Sequence, residues 1–592
     1  MSDGTVLYAD IAHPGDQAGP TADPRPAVIT FTVYNKWLVE LAESRVVRAL
    51  GRAAGRLGAG ESAGLGRLLR TLAGGTPDAA AANHTLVSRG YVYVLVDVRG
   101  TGASTGEWKF LGIDEQRDYL EVIDWVRHQH WCRGDFALAG ISYHAMAALT
   151  AAGLRPAGLK AVFAIEGAEN ADREIAYAGG VPSPFTLAWT SVITAAKFLP
   201  PLPVLLRDST LTGFLRDRLS APLAWLDRVV PVYLRGDDPD LYRNEKWAER
   251  WPDLEAIEVP TFLVGGWHDI FNHSPLRLYT RLDLPPGRKQ VLVEDSYHFT
   301  PGSALGAPGN PPGLDELQCA WFNRWVENES NGIEHYGPIV LGQLNGEWIA
   351  RAEFPPPQAQ PVRFYLTGDI GGSAAHSGYD GALSTAAPPV GRSITLRDNG
   401  FHLTSDNAAI ATGGLITAFG RATVDQRGEE KSAATFTTVP FAARTIISGP
   451  MCLHLVVDTT GHDALWVATV SRVDSAGASS GLAHGALRSS LRALDTDDSR
   501  YADGELIEPR HPLTAESVQE VRPGEPHELD IALNAVEAVL DAGDRLRVAV
   551  RRASFPRHVV PPGLRRIRGT QRILLDPARP SHLTLCLYRP QS

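Results

Sequence analysis

The amino-acid sequence predicts an α/β fold, in which helices cover both faces of a mainly parallel sheet, followed by an antiparallel β-sandwich. Short runs in the first 300 residues are almost continuously apolar, as strands buried on both faces are, and helical patterns such as residues 115–128 separate them. After about residue 336 the texture changes to short alternating segments with frequent Gly, Pro and Asp. The predicted strands of the first part are Ala27 to Val33, Tyr91 to Val96, Phe136 to Ala139, Thr261 to Val264 and Gln290 to Val293.

The domain organisation follows from length and from two interruptions of the strand pattern. At 592 residues the chain is too long for one ordinary core, so two or three packed units are expected. We expect the α/β domain to comprise residues 1–150 and 241–335, a helical cap to comprise 151–240, and the β-sandwich to comprise 336–592. A helical insertion is expected at 38–80, either as a lid or lipid-facing helix pair or as a packed insertion with a solvated arginine stripe. The second interpretation is favoured, because basic faces on helices are usually solvated.

Composition excludes several classes of function. The chain has 67 acidic against 56 basic residues and a net charge of -11, so its field repels phosphate backbones and a nucleic-acid partner is not expected. The first residues lack a basic stretch before an apolar run, and no segment has about 18 uninterrupted apolar residues, so neither export nor a membrane span is expected.

Cysteine spacing and the known short motifs make no case for a metal or a cofactor. The four cysteines are far apart and form no Cys-x-x-Cys pair, which favours reduced thiols in a cytoplasmic protein. No His-Glu-x-x-His, phosphate loop or dinucleotide fingerprint is present, so no cofactor or metal is expected. A homo-oligomer is left open.

A serine stands where a predicted strand turns sharply into a helix, in the run Phe136-Ala-Leu-Ala-Gly140-Ile-Ser142-Tyr143-His144-Ala145. A nucleophile at such a turn is lifted above the sheet, and the following backbone N–H, that of Tyr143, faces a developing oxyanion at the helix N-terminus. Gly140 keeps the tight turn free of Cβ clashes. Gly-x-Ser alone is a weak signal, because a serine at that position is often only an N-cap.

Two further residues follow predicted strands at the same edge of the sheet. Asp269 and His298 each come a few residues after an apolar run, and parallel sheets build their sites at the carboxyl ends of their strands. The order Ser142, Asp269, His298 is the one that an α/β-hydrolase requires. The sequence therefore predicts a catalytic triad of these residues, with His273 and His268 as alternatives to His298.

With these motifs the chain resembles the CocE/NonD family of hydrolases, relatives of cocaine esterase, α-amino-acid ester hydrolases and X-Pro dipeptidyl-peptidases. The resemblance implies that Ser142 is the nucleophile of a serine hydrolase, with Asp269 and His298 as its partners. It also implies that the Tyr34 hydroxyl joins the N–H of Tyr143 in the oxyanion hole, and that the C-terminal sandwich is a jelly-roll. The motifs are Asp3 to Thr5, Tyr34 to Lys36, Asp97 to Gly106, Gly140 to Tyr143, Gly266 to Asp269, Phe322 to Trp325, Gly485 to Arg492, Val521 to Gly524 and Ala542 to Val548.

The chain departs from the family pattern near two of these residues. Ala145 replaces the usual glycine after the nucleophile, and His144 is unusual beside it; its side chain is expected to point into the helix face as a structural residue. The segment before His298 lacks the common Gly-Pro-Trp, so this histidine is the least secure member of the triad.

The expected substrate is a small molecule with an acyl group. Phe271 and Trp189 resemble aromatic residues of an acyl pocket, which favours an ester with an apolar or aromatic acyl group, although both could be cap packing. Recognition of a substrate amine needs a carboxylate, and residues 270–274 contain none. An X-Pro dipeptidyl-peptidase, amino-ester hydrolase or amide acylase remains the first alternative, and an acyl-transfer or non-catalytic member the second. A cap carboxylate that could serve the first alternative is Glu166, Glu169 or Asp172.

Overall fold

The computed structural model of the chain describes residues 1–15, 23–37, 84–223, 225–236, 242–396, 404–420, 424–564 and 567–590. Within these ranges an α/β-hydrolase fold with a helical cap is followed by a β-rich C-terminal domain, which is the predicted fold class. The helical insertion predicted at 38–80 lies outside the described residues.

A mixed sheet of nine strands forms the first half of the described chain. Its strands are β1 (Tyr8–Ala12), β2 (Arg25–Thr32), β3 (Val92–Asp97), β4 (Cys132–Ile141), β5 (Leu159–Ile165), β6 (Thr261–His268), β7 (Lys289–Tyr297), β8 (Ile339–Gly342) and β9 (Trp348–Arg351). They lie in the order β1, β3, β2, β4, β5, β6, β7, β8, β9. Strands β2 to β8 pair in parallel, and β1 and β9 pair antiparallel at the two edges.

The five predicted strands fall on β2, β3, β4, β6 and β7, whereas the central strand β5 is missed by the sequence analysis. Strand β5 lies within residues 151–240, which the sequence analysis assigns wholly to the cap, and that assignment is wrong for this segment. Apart from Lys160, its seven residues are buried. Its residues Lys160, Ala161 and Ala164 are of types that are depleted in strands, which weakens the strand signal of this short run. Strands β8 and β9 extend the sheet beyond residue 336.

Helices cover both faces of this sheet and build the cap. On one face α2 and α3 pack with Phe31 and Leu138, and on the other α10 packs with Phe163 and Phe262. No helix in the described ranges is long and apolar enough to span a bilayer. The helices are α1 (His84–Ser88), α2 (Ile113–Arg127), α3 (Tyr143–Gly153), α4 (Pro184–Ala196), α5 (Leu202–Arg207), α6 (Leu211–Ser220), α7 (Leu226–Arg235), α8 (Glu245–Ala248), α9 (Ser274–Arg281) and α10 (Leu314–Trp325), with a π-helix Asp172–Ala176 and 3₁₀-helices Ala178–Gly180 and Ile333–His335.

The C-terminal half is dominated by β-strands that pair antiparallel, except for one parallel pair between the second and fourth strands of this half. Its long strands are buried along most of their length, and Leu453, Val467 and Ile531 are fully buried. The strands are β10 (Gln360–Ile370), β11 (Tyr379–Ser384), β12 (Arg392–Thr395), β13 (Ala434–Thr437), β14 (Thr445–Thr459), β15 (Leu465–Val473), β16 (Ser479–Arg488), β17 (Arg500–Ala502), β18 (Glu505–Glu508), β19 (His527–Leu540), β20 (Arg545–Arg551), β21 (Gln571–Leu575) and β22 (His582–Tyr588). Short helices are α11 (Asp406–Ala411) and α12 (Arg427–Glu430), with 3₁₀-helices Leu415–Phe419 and Ser489–Leu491.

A buried arginine at the end of β16 joins the β-rich domain to the segment before the cap helices. Arg488 is fully buried, and its Nε donates to Asp463 Oδ2 at 3.0 Å. Its Nη1 donates to the Gly180 carbonyl oxygen at 3.1 Å, which ties the 3₁₀-helix Ala178–Gly180 to the strand. Because the charge is buried with its counter-charge, the pair stabilises the interface only while both members are present.

We expect Arg488→Ala to lower the free energy of unfolding by about 3–5 kcal/mol, because it leaves the Asp463 carboxylate buried without its partner. Denaturant unfolding followed by fluorescence measures this change. The matched control is Arg155→Ala, at an exposed position, which is expected to change stability by less than about 0.5 kcal/mol. Equal stability of the two variants would contradict the role given to Arg488.

Candidate active site

Ser142 occupies a strained turn between β4 and α3. Its backbone angles are φ 57° and ψ -122°, a conformation rare for a residue with a side chain. A Cβ on Gly140 would lie 2.4 Å from the backbone carbonyl carbon of His144, so only glycine fits where the helix turns back over the strand. The turn therefore presents Ser142 at the carboxyl end of β4, as the sequence predicts.

His298 lies between Ser142 and Asp269 and contacts both. Its Nε2 is 2.9 Å from Ser142 Oγ, and its Nδ1 is 2.6 Å from Asp269 Oδ1. Asp269 follows β6 and His298 follows β7, so the parallel sheet brings together residues far apart in the chain. Each of the three side chains is at least 95% buried, with exposed fractions of 5%, 0% and 3% for Ser142, Asp269 and His298. The structure thus joins the three residues that the sequence singles out.

The two alternative histidines have other surroundings. His268 Nδ1 is 3.2 Å from Asp406, its Nε2 is 3.4 Å from Asp295, and its ring stacks on Tyr297. Burial opposes a positive charge there, but the two carboxylates outweigh it and raise the pKa of His268 to about 10. Burial and the nearby Arg557 guanidinium lower the pKa of His273 to about 3. Among the described residues, the histidine that contacts the Ser142 hydroxyl is His298.

A second carboxylate approaches the same imidazole. Glu166 directly follows β5, is fully buried, and adopts a φ of 48°. One of its oxygens, Oε2, is 3.2 Å from His298 Nδ1. Burial and the neighbouring Asp269 charge raise the pKa of Glu166 well above its ordinary value. Burial disfavours the charged form of His298, but Asp269 and then Glu166 outweigh it, so the pKa of His298 is raised.

These three side chains also have the spacing of a small ligand set. Among the residues that the structure describes, one donor atom each from Glu166, Asp269 and His298 lies within 4.8 Å of the others, close enough to hold a metal ion. The nitrogen of His298 that faces both carboxylates is Nδ1, and its other nitrogen contacts Ser142. The arrangement suits proton transfer from the serine without requiring a metal.

Tyr34 and Tyr143 approach the serine through different groups: Tyr34 through its side chain, and Tyr143 as the next residue of the backbone. The Tyr34 ring is buried edge-on against His144 at 5.3 Å, and its hydroxyl interacts with the side chains of Trp189 and Ser142. Burial raises the pKa of this hydroxyl, so it stays protonated and can donate. Tyr143 opens α3, where backbone N–H groups have no partner within the helix, while its own hydroxyl binds Glu115.

His144 behaves as the structural residue that the sequence analysis expects. It is fully buried, and its Nε2 is 2.9 Å from Thr32 Oγ1 on β2. The side chain therefore points away from Ser142, into the contact between α3 and the sheet.

An aromatic cluster joins the cap to the loop after β3. Trp189, on α4 of the cap, is partly buried and packs edge-on against Trp108 and Phe110, with ring centroids 5.6 Å apart in both cases. Phe271 is buried and packs edge-on against the His298 ring at 5.4 Å. Because Trp189 also interacts with the Tyr34 hydroxyl, each of the two predicted pocket residues contacts a residue of the site.

Sequence reasoning missed Trp108 and Phe110 and gave Glu166 a different role. Glu166 stands directly after β5, at the same strand-end position that singled out Asp269 and His298. This strand-end position could have identified Glu166, but the sequence assigns the segment of β5 to the cap, so Glu166 is not recognised as a strand-end residue. Trp108 and Phe110 lie on a loop after β3, where spacing carries no comparable signal.

Comparisons with known proteins agree with this fold. Residues 3–300 match the family model described as X-Pro dipeptidyl-peptidase (S15 family), and residues 331–584 match the model of the X-Pro dipeptidyl-peptidase C-terminal non-catalytic domain. Cocaine esterase from Rhodococcus sp. (strain MB1 Bresler) is 23% identical over 502 residues, which cover 80% of this chain and 82% of that protein.

Solved structures cover the chain almost completely. The crystal structure of a CocE/NonD family hydrolase from Staphylococcus aureus has a TM-score of 0.72 and 20% identity, covering 100% of this chain and 92% of that one. An α-amino-acid ester hydrolase structure has a TM-score of 0.65 and 16% identity, covering 99% of this chain and 95% of that one. These structural likenesses, at such low identity, concern the fold.

Proposed function

The chain belongs to the X-Pro dipeptidyl-peptidase (S15) family and is a serine hydrolase, and from this premise we propose that it cleaves carboxylic esters through an acyl-enzyme on Ser142. The observation that carries the proposal is the pair of contacts made by His298, at 2.9 Å to Ser142 and 2.6 Å to Asp269. Nucleophile, base and orienting carboxylate in this arrangement make a serine oxygen reactive.

The proposed reaction has two steps. Ser142 Oγ attacks the acyl carbonyl carbon while His298 Nε2 takes its proton, and Asp269 holds the imidazole through Nδ1. The negative charge on the carbonyl oxygen is met by the Tyr143 N–H and the Tyr34 hydroxyl. The carbonyl then re-forms, the alcohol leaves with the proton from His298, and a water molecule activated by the same base releases the acid.

Substrates with a free α-amine are disfavoured, because the three carboxylates considered for such an amine, Glu166, Glu169 and Asp172, already have partners. Glu169 is 2% exposed and accepts from three arginines at 2.9–3.0 Å, and Asp172 is 1% exposed and pairs with Arg243 at 3.3 Å. Glu166 faces His298. An ammonium group brought to this region would find its counter-charges occupied, and a buried ammonium without one is costly. The arginines on Glu169 are Arg277, Arg281 and Arg510.

The aromatic cluster supports an apolar or aromatic acyl group. Trp189 packs against Trp108 and Phe110, and it interacts with the Tyr34 hydroxyl, which in turn interacts with Ser142. An acyl chain against these rings is removed from water, which stabilises the bound state by roughly 25 cal/mol per Å² of apolar surface. We assign Phe271 to the same pocket, beside His298.

Labelling with a fluorophosphonate tests the proposed nucleophile. We expect one adduct, on Ser142, and no turnover of p-nitrophenyl butyrate by Ser142→Ala, because the hydroxyl is the attacking group. The control is Ser191→Ala, an exposed serine on cap helix α4, which should keep both labelling and turnover. A native chain that stays unlabelled at Ser142 would remove the hydrolase mechanism, and faster cleavage of Gly-Pro p-nitroanilide than of the ester would favour the peptidase alternative.

We expect Tyr34→Phe to lower kcat for p-nitrophenyl butyrate by roughly 100- to 1000-fold, since one donor to the oxyanion is lost. The ring, and with it the packing against His144, is retained, so fluorophosphonate should still label the folded variant. Tyr91→Phe is the matched control, because it removes a buried hydroxyl that binds Asn323 instead. Equal rates in the two variants would show that Tyr34 does not serve the oxyanion.

The pH profile of Glu166→Gln tests the second carboxylate as a positioning residue. Glu166 raises the pKa of His298, so its loss should lower that pKa, and the neutral base should persist to lower pH. The acid limb of kcat/KM is therefore expected to move to lower pH. Glu258→Gln, at an exposed position, should leave the limb in place. A lower rate with an unmoved limb would reduce Glu166 to a packing role.

A further inference from the structure

A cavity lies beside the turn that follows Asp269. Its wall includes His273, four residues after Asp269, together with residues of the π-helix Asp172–Ala176 and of the β-rich domain. About 90 Å³ is open to water-sized groups, several times what a single water molecule needs. The charged and ionisable groups that matter here are Arg173, Glu174, His273, Arg510, Arg557 and His558.

Several donors in this wall lack partners among the described residues. Arg557 is 8% exposed; its Nη2 donates to Asn272 at 3.3 Å, but its Nη1 has no hydrogen-bond partner. His558 is 3% exposed, and neither of its ring nitrogens has a partner. The buried Nε of Arg173 also has no hydrogen-bond partner among the described residues. Buried donors without a partner cost free energy, so these groups favour the binding of a hydrogen-bond acceptor in the cavity.

The side chains that line the cavity include more basic than acidic groups, with Arg173, Arg510 and Arg557 against Glu174. Behind this lining, Arg510 is paired with Glu169 and Asp498, Asp172 and Glu169 lie near Arg173, and Asp406 and Asp269 lie near Arg557. Glu174 neutralises this positive charge only in part. Burial raises its pKa to about 7, and its Oε1 already accepts a hydrogen bond from the Ser274 hydroxyl.

The histidines add neutral donors to this positive wall. Burial, together with the neighbouring guanidinium groups, lowers the pKa of His273 to about 3 and that of His558 well below its ordinary value. At neutral pH each ring is therefore uncharged and offers one N–H.

We propose that this cavity binds a small oxyanion, a carboxylate or a phosphate, held by Arg557, Arg173 and an N–H of His558. Planar guanidinium groups match the oxygens of such anions, and charge-assisted hydrogen bonds to them are stronger than neutral ones. The anion has two sources, a free ion or the carboxylate tail of an acidic ester substrate. The second source rests on the proposed esterase function, whereas the first does not.

Thermal unfolding of the Ser142→Ala chain tests binding independently of catalysis. At constant ionic strength, low millimolar phosphate or acetate is expected to raise Tm saturably by about 2 °C or more over chloride. Arg557→Gln and Arg173→Gln should each lose this shift, and Arg155→Gln, at an exposed position, should keep it. Two separate variants keep the test decisive if one of them folds poorly.

Kinetics of the active chain distinguish the two sources. Phosphate that inhibits hydrolysis of p-nitrophenyl hemisuccinate competitively, but leaves p-nitrophenyl butyrate unaffected, identifies the anion as a substrate carboxylate. Equal behaviour of the two esters, with the Tm shift present, identifies a free ion. The proposal would be overturned if phosphate and acetate gave no saturable Tm shift. It would also be overturned if both cavity variants kept the same shift as the Ser142→Ala chain.

Discussion

The geometry of the site depends on one imidazole that makes two hydrogen bonds in a buried environment. His298 contacts Ser142 on one side and Asp269 on the other. The three residues follow β4, β6 and β7, and because these strands are parallel, their carboxyl ends lie at one edge of the sheet. The strained turn at Ser142 and the absence of a side chain at Gly140 then set the height of the serine above that edge.

Around this centre, buried charges are neutralised in groups that cross domain boundaries. Glu169 follows β5 in the first domain, yet one of its three arginines, Arg510, comes from the β-rich domain. Arg488 makes the converse connection, from β16 to the Gly180 carbonyl oxygen near the cap. Because a buried charge is costly without its partner, these contacts hold the domains in one arrangement around the site.

The sequence alone predicted the fold class, five strands of the sheet and the serine hydrolase family. Strand β5 is not predicted, because Lys160, Ala161 and Ala164 weaken the strand signal of its seven residues, and Glu166 is therefore assigned to the cap. His298 is the least secure member of the predicted triad, because the segment before it departs from the family pattern, and its contacts with Ser142 and Asp269 distinguish it from His268 and His273. The cavity near Arg557 unites distant segments, which no local pattern could reveal.

The arginines around Glu169 also bear on how new specificities arise in this scaffold. A variant that hydrolyses substrates with a free amino terminus would need an unpaired acidic side chain to bind the ammonium group. Each arginine removed to free Glu169, however, would also remove an ion pair that stabilises the fold. Directed evolution toward aminopeptidase activity would therefore have to pass through less stable intermediates, and a chain stabilised beforehand at remote positions is the better starting point.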